Sequence, residues 1–145
     1  MINIPTEYKG LKVIHKKRHK LNGINASFDN KTKTITVYDR WTKRSKERRA
    51  WILFHEYAHY IYMNKIPYLY KKVWELISNW KLIKILRIFW ITEYTENVYL
   101  NKQSERNANE SFAWLNEQYV LGKAYPNYIW TKIKLARAMF LYFDK

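Results

Sequence analysis

Residues 51–62, WILFHEYAHYIY, decide how the rest of this chain is interpreted. Apolar residues recur there at helical spacing, and neither Gly nor Pro interrupts the sequence from 45 to 64. This pattern predicts a helix over 45–64. Residues four apart lie on one face of a helix, so His55 and His59 are expected to lie side by side.

The histidine pair and its neighbour Glu56 have the spacing of a metal site. Two imidazoles on one helical face can bind a single zinc ion at about 2.0–2.1 Å. Glu56 is placed about a quarter-turn from His55, where a carboxylate can take a proton from a water that attacks a carbonyl group. The pattern is H-E-x-x-H, which is typical of zinc metallopeptidases and predicts Glu56 as the general base.

A structural interpretation competes with this one. His55 and His59 could be core histidines bonded to backbone carbonyl groups, with Glu56 at the surface. The apolar and aromatic residues around the motif weigh against that alternative, because burying a charged trio is costly unless something compensates it. The sequence therefore favours a zinc site.

A catalytic zinc site needs a third protein ligand. No histidine follows His59, so the ligand is a carboxylate or an upstream residue. In SERNANESFAWL, residues 104–115, one helical stripe is formed by Glu105, Ala108, Asn109 and Phe112. The stripe favours Glu105 over three other carboxylates, Glu93, Glu96 and Glu110.

The two motifs together resemble those of the gluzincins, metallopeptidases with HExxH on one helix and Glu-x-x-x-Asp/Asn on a later one. The resemblance implies that Glu105 is the third zinc ligand and that Asn109 accepts a hydrogen bond from a ligating imidazole, which orients the ring. The second motif is most similar to the E-x-x-A-N-x-F-A signature of ImmA/IrrE-like peptidases, and the short chain resembles the minigluzincins. Ser111 departs from that signature by adding a residue before Phe112.

The expected fold is one α+β domain over 1–145, in which a small N-terminal sheet precedes several helices. The predicted elements are a strand at 11–17, a hairpin over 24–37 and helices at 45–64, 70–91, 102–121 and after Pro126. The resemblance implies that the sheet packs on the active-site helix and that an edge strand pairs with a peptide or protein substrate. Residues 33–38 are the candidate edge.

Composition narrows the function classes. The chain of 145 residues has no cysteine, which excludes disulfides, thiolate zinc sites and cysteine nucleophiles. Its formal net charge of +15 predicts attraction to nucleic acid, anionic lipid or an acidic protein. No signal peptide is recognisable at the N-terminus, so a cytoplasmic location is expected.

Three other features have weaker interpretations. A basic stripe of Lys81, Lys84 and Arg87 on the apolar segment 80–91 favours core or lid packing over contact with a membrane surface or a partner groove. His15 and His19 have helical spacing, but their basic surroundings oppose a second metal site. Two tyrosines, Tyr94 and Tyr99, are candidate donors to an oxyanion.

The resulting hypothesis is a zinc metallopeptidase in which His55, His59 and Glu105 hold Zn²⁺ and Glu56 is catalytic. The alternative is a basic module that binds nucleic acid or protein and whose zinc site is inactive or structural. A third possibility is a zymogen-like state in which a chain terminus or the segment 66–100 occludes the zinc.

Overall fold

The computed structural model describes residues 2–19, 23–79, 104–122 and 127–144. The chain divides into two compact units, an N-terminal unit over Met1–Tyr60 and a C-terminal unit over Ile61–Lys145. Several predictions fall outside the described residues: the continuation of the 70–91 helix beyond residue 79, the basic stripe in 80–91, and the proposed roles of Glu93, Tyr94, Glu96 and Tyr99.

The N-terminal unit contains a four-stranded mixed sheet. Its strands are β1 (Glu7–Tyr8), β2 (Leu11–Lys16), β3 (Ala26–Asp29) and β4 (Thr34–Tyr38). They lie in the order β1-β2-β4-β3, with β2 parallel to β4 and the outer strands antiparallel to their neighbours. Lys9 and Gly10 join β1 to β2 with φ angles of 47° and 85°, the left-handed backbone that a tight hairpin turn requires.

The predicted strand at 11–17 and the predicted hairpin over 24–37 are confirmed, but the prediction that residues 33–38 form a sheet edge is wrong. β4 lies between β2 and β3 and its five residues are all buried. The local hairpin pattern identified one neighbour of β4. The parallel partner β2 covers its other side, and a pairing so distant in sequence leaves no local signal. Within the described residues, the edges are β1 and β3.

Two helices follow β4. The short α1 (Asp39–Thr42) is succeeded by α2 (Lys46–Asn64), which confirms the predicted helix over 45–64 almost residue for residue. Ser45 caps α2, since its Oγ accepts a hydrogen bond from the backbone N–H of Arg48 at 3.3 Å.

Side chains of the sheet contact α2. The ring centroids of Tyr8 on β1 and Tyr57 on α2 are 5.9 Å apart, and those of Phe28 on β3 and Tyr60 are 6.0 Å apart. The outer strands therefore hold the helix that carries the histidines.

The C-terminal unit is helical where it is described. Its helices are α3 (Tyr68–Asn79), α4 (Ser104–Leu121) and α5 (Asn127–Phe143). Trp74, Phe112, Ile133 and Phe140 form a core from all three. α4 ends as predicted at Gly122, which has a φ of 66° and whose N–H donates to the Gln118 carbonyl oxygen at 3.1 Å.

The predicted α+β class is confirmed. Among the described residues, none of the helices combines the length and the apolar character needed to cross a bilayer. The predicted single domain and the cytoplasmic location stay predictions.

Candidate metal centre

The two histidines of α2 face each other. His55 and His59 are one helical turn apart, and their Nε2 atoms lie 3.2 Å from each other. His59 is only 7% exposed, and His55 is partly buried. Helical spacing places both rings on one face of α2, and His59 is the more buried of the two.

The separation of the two nitrogen atoms fits a shared metal ion. Nitrogen ligands of a tetrahedral zinc ion, each at about 2.0–2.1 Å from it, are about 3.3–3.4 Å apart. The observed 3.2 Å is close to that edge length. A hydrogen bond between a protonated and an unprotonated imidazole nitrogen has a similar length, so the distance fits zinc without requiring it.

Glu56 is buried beside the pair. Its exposed fraction is 9%, and its neighbours Tyr57 and Ala58 are buried as well. The alternative interpretation, with structural histidines and Glu56 at the surface, is therefore wrong in its second half. Burial of a carboxylate is costly unless it has a charged or hydrogen-bonding partner, so a carboxylate as buried as that of Glu56 is expected to lie in polar surroundings.

A carboxylate on α4 completes a set of three candidate ligands. One ligand atom from each of His55, His59 and Glu110 lies within 4.8 Å of the other two. Glu110 is partly buried, and the set is the one such group found in the described part of the chain. Two imidazoles and a carboxylate are a donor set that suits catalytic zinc.

Glu110 is one of the rivals to Glu105 in the sequence analysis. The backbone of Glu105 belongs to α4, but its side chain lies outside the described part of the structure, so its assignment as a ligand stays a prediction. Residues five apart are displaced by about 140° around a helix and about 7.5 Å along it. Positions 105 and 110 therefore belong to different faces of α4.

The rest of the α4 stripe behaves as its spacing predicts. Ala108 and Phe112 are fully buried, and Phe112 packs against Tyr62 and Trp74 with ring centroids 5.2 and 6.2 Å away. Asn109, next to Glu110, is partly buried. Its predicted hydrogen bond to a ligating imidazole stays a prediction.

The other histidine pair has a different environment. His15 lies on strand β2, where the Nε2–H group donates to Asp39 Oδ1 at 2.6 Å, and His19 packs edge-on against Tyr38. Residues four apart on an extended chain do not converge as they do on a helix. That these two histidines form no second metal site stays a prediction.

The comparisons with known proteins add no relative. No family profile matches the chain, and neither a curated protein nor a solved structure is significantly similar to it. The resemblance to gluzincins therefore rests on the two short motifs.

Proposed function

We propose that the protein is a zinc metallopeptidase that hydrolyses peptide bonds. The observation that carries the proposal is the convergence of the His55 and His59 Nε2 atoms to 3.2 Å, with Glu56 buried beside them on the same helix. The separation fits two ligands of one zinc ion, and a histidine pair used only for packing does not need a buried carboxylate next to it.

The side chains of His55, His59 and Glu110 would hold the zinc ion. The proximity of their ligand atoms supports this set. Three protein ligands leave one position of a tetrahedral ion available to water or substrate, which is the arrangement of catalytic rather than structural zinc. Glu105 is the competing third ligand, and a metal-affinity comparison of the two glutamates decides between them.

When bound, zinc polarises the carbonyl group of the scissile peptide bond and lowers the pKa of a water molecule. In the proposed mechanism, the Glu56 carboxylate accepts a proton from the attacking water and returns it to the nitrogen of the leaving amine. Its low exposure favours this role. Where bulk water is excluded, the attraction between the carboxylate and the proton that it accepts is stronger.

The substrate would bind as an added strand, as in zincin-like folds. With β4 at the centre of the sheet, β3 is the better candidate edge: it has four residues, whereas β1 has two. Phe28 on β3 contacts Tyr60, the residue after His59, so a peptide paired with β3 would run beside the helix that carries the site.

The test of this function is a Glu56→Gln variant assayed with zinc bound, on a peptide or protein that the wild type cleaves. The amide keeps the size of the side chain but cannot accept the proton, so the rate should fall by about 10²–10⁴-fold while zinc content is unchanged. Glu47→Gln is the matched control, since Glu47 is an exposed residue in the first turn of the same helix. Equal cleavage by Glu56→Gln and wild type would exclude the mechanism.

A further inference from the structure

Exposed cations gather at one end of the parallel strand pair in the N-terminal unit. Lys16, the last residue of β2, pairs with Tyr38, the last residue of β4. The chain therefore leaves both strands at the same end of the sheet. The backbone N–H of Asp39 donates to the Lys17 carbonyl oxygen at 3.1 Å. This bond holds the residues that follow β2 and β4 side by side. The residues that follow both strands are strongly basic.

This basic corner consists of seven exposed side chains: Lys16, Lys17, Arg18, Arg40, Lys43, Lys46 and Arg48. Two contacts hold its backbone, the Trp41 Nε1–H bond to the Arg49 carbonyl oxygen at 3.1 Å and the Arg49 Nη1–H bond to the Arg44 carbonyl oxygen at 2.9 Å. Arg40 and Lys43 are therefore displayed on a fixed connection between β4 and α2.

Little negative charge opposes them. Within the segments 16–18 and 39–49 the acidic residues are Asp39, which bonds to His15, and the exposed Glu47. Lys46 and Arg48 also occupy the first turn of α2, where the helix dipole disfavours cations. The corner is electrostatically unfavourable on its own, and a bound polyanion would relieve the repulsion.

The composition of the surface identifies the kind of polyanion. Among the described residues of the N-terminal unit, Ile2 is the one large hydrophobic side chain that is exposed. Insertion into a lipid surface and a typical protein interface both need apolar or aromatic anchors, which the basic corner lacks. A phosphodiester backbone needs none, because Lys and Arg neutralise its phosphates directly.

We infer that the basic corner binds the phosphate backbone of nucleic acid without reading its sequence. This surface is a separate property from peptide hydrolysis, because none of its residues belongs to the metal centre. Contacts with about five phosphates would give a slope of about −4.5 for the logarithm of the association constant against the logarithm of the salt concentration.

The test is fluorescence anisotropy of a labelled DNA duplex of arbitrary sequence, titrated with protein at several salt concentrations. Lys17→Ala/Arg40→Ala should weaken binding at low salt and reduce the magnitude of the salt slope by about 2, one for each lost phosphate contact. An RNA duplex of equal length shows which backbone fits better, and binding of either one supports the inference.

The matched control is Lys12→Ala/Lys31→Ala. Both lysines are exposed in the same unit but lie at the opposite end of the strands, since Lys12 pairs with Thr34 and Lys31 belongs to the β3–β4 turn. It removes the same charge and should leave the slope near the wild-type value. The inference is overturned if neither duplex binds at low salt, if the control loses as much affinity as the test variant, or if phosphatidylglycerol vesicles bind more tightly than both duplexes.

Discussion

The polar side chains packed inside the C-terminal unit and those of the α2 histidines differ in the contacts that define them. In the C-terminal unit, three buried or partly buried side chains bond to backbone carbonyl groups: Trp74 Nε1–H to Ala108, Asn116 Nδ2–H to Phe112 and Ala136, and Lys132 Nζ to Ile77. On α2, the Nε2 atoms of His55 and His59 lie 3.2 Å apart, and both residues belong with Glu110 to the candidate metal-ligand group.

This difference separates two uses of a buried polar group. A side chain bonded to a carbonyl oxygen satisfies the backbone and ties helices together, so removing it should change stability and little else. Ligand atoms that converge on one point offer their lone pairs to a common ion, so removing one should change metal affinity first. The predictions below test whether the two groups of residues can be told apart in this way.

The largest effect is expected for Glu110→Ala. If Glu110 is a zinc ligand, its loss should weaken zinc binding by more than the about 10–100-fold that loss of a partner outside the coordination shell costs. His55→Ala and His59→Ala should behave alike, because each also removes one ligand. Competition with a chromogenic chelator measures the affinity of each variant.

Glu105→Ala is the matched control, since it removes the same group from the same helix. Near wild-type zinc affinity in Glu105→Ala together with a loss in Glu110→Ala supports the Glu110 assignment. The reverse result would give the third position to Glu105, as the gluzincin resemblance implies, and would remove Glu110 from the centre.

The choice between these two glutamates shows where sequence reasoning stops. The spacing of Glu105, Ala108 and Phe112 predicted a stripe, and the full burial of Ala108 and Phe112 confirms that this face of α4 packs inward. Periodicity reports the buried face of one helix. It does not report which carboxylate beside that face comes close to ligands on another helix. No motif or spacing in the sequence distinguished Glu110 from the other carboxylates.

The same limit applies to the sheet. The bounds of α2 were predictable because its signals are local, namely apolar spacing at 3.6 residues, a serine cap and no Gly or Pro. The β3–β4 hairpin was predictable for the same reason. The central place of β4 depends on its parallel pairing with β2, a contact between segments about twenty residues apart that neither segment encodes alone.

Another prediction concerns Lys132, a partly buried cation of the C-terminal unit. Burial lowers the pKa of Lys132 from 10.5 to about 8, and its Nζ donates to the Ile77 carbonyl oxygen at 3.2 Å, near the end of α3. Between these two pKa values the unfolded chain binds more protons than the native state, so the free energy of unfolding rises with pH. Below pH 8 the desolvation penalty is fully present.

Lys132→Met should remove this rise in the free energy of unfolding with pH. For such a pKa shift the rise is at most about 3 kcal/mol. Urea unfolding at several pH values from about 7 to 9.5, below the ordinary pKa of tyrosine, measures it. Lys134→Met is the control because Lys134 is exposed on the same helix, α5. Titration of the other lysines contributes to wild type and variants alike. A wild-type pH dependence retained in Lys132→Met would show that the increment has another source.

The smallest effect is expected for Trp74→Phe. This variant tests the side chains that donate to backbone carbonyl oxygens. Trp74 is fully buried and its Nε1–H donates to the Ala108 carbonyl oxygen at 2.9 Å. That oxygen also accepts a bond from Ser111 Oγ at 3.0 Å, so it is not left unsatisfied. The lost hydrogen bond and the space left by the smaller ring together should cost about 2 kcal/mol. Leu69→Ala, an exposed change on the same helix, should cost less.

Because Trp74 supplies a backbone partner rather than a ligand, zinc affinity in Trp74→Phe should equal that of wild type. A loss of zinc affinity as large as that of His55→Ala would contradict the distinction. It would mean that the hydrogen-bond partner of a buried side chain does not predict whether its removal affects stability or metal binding.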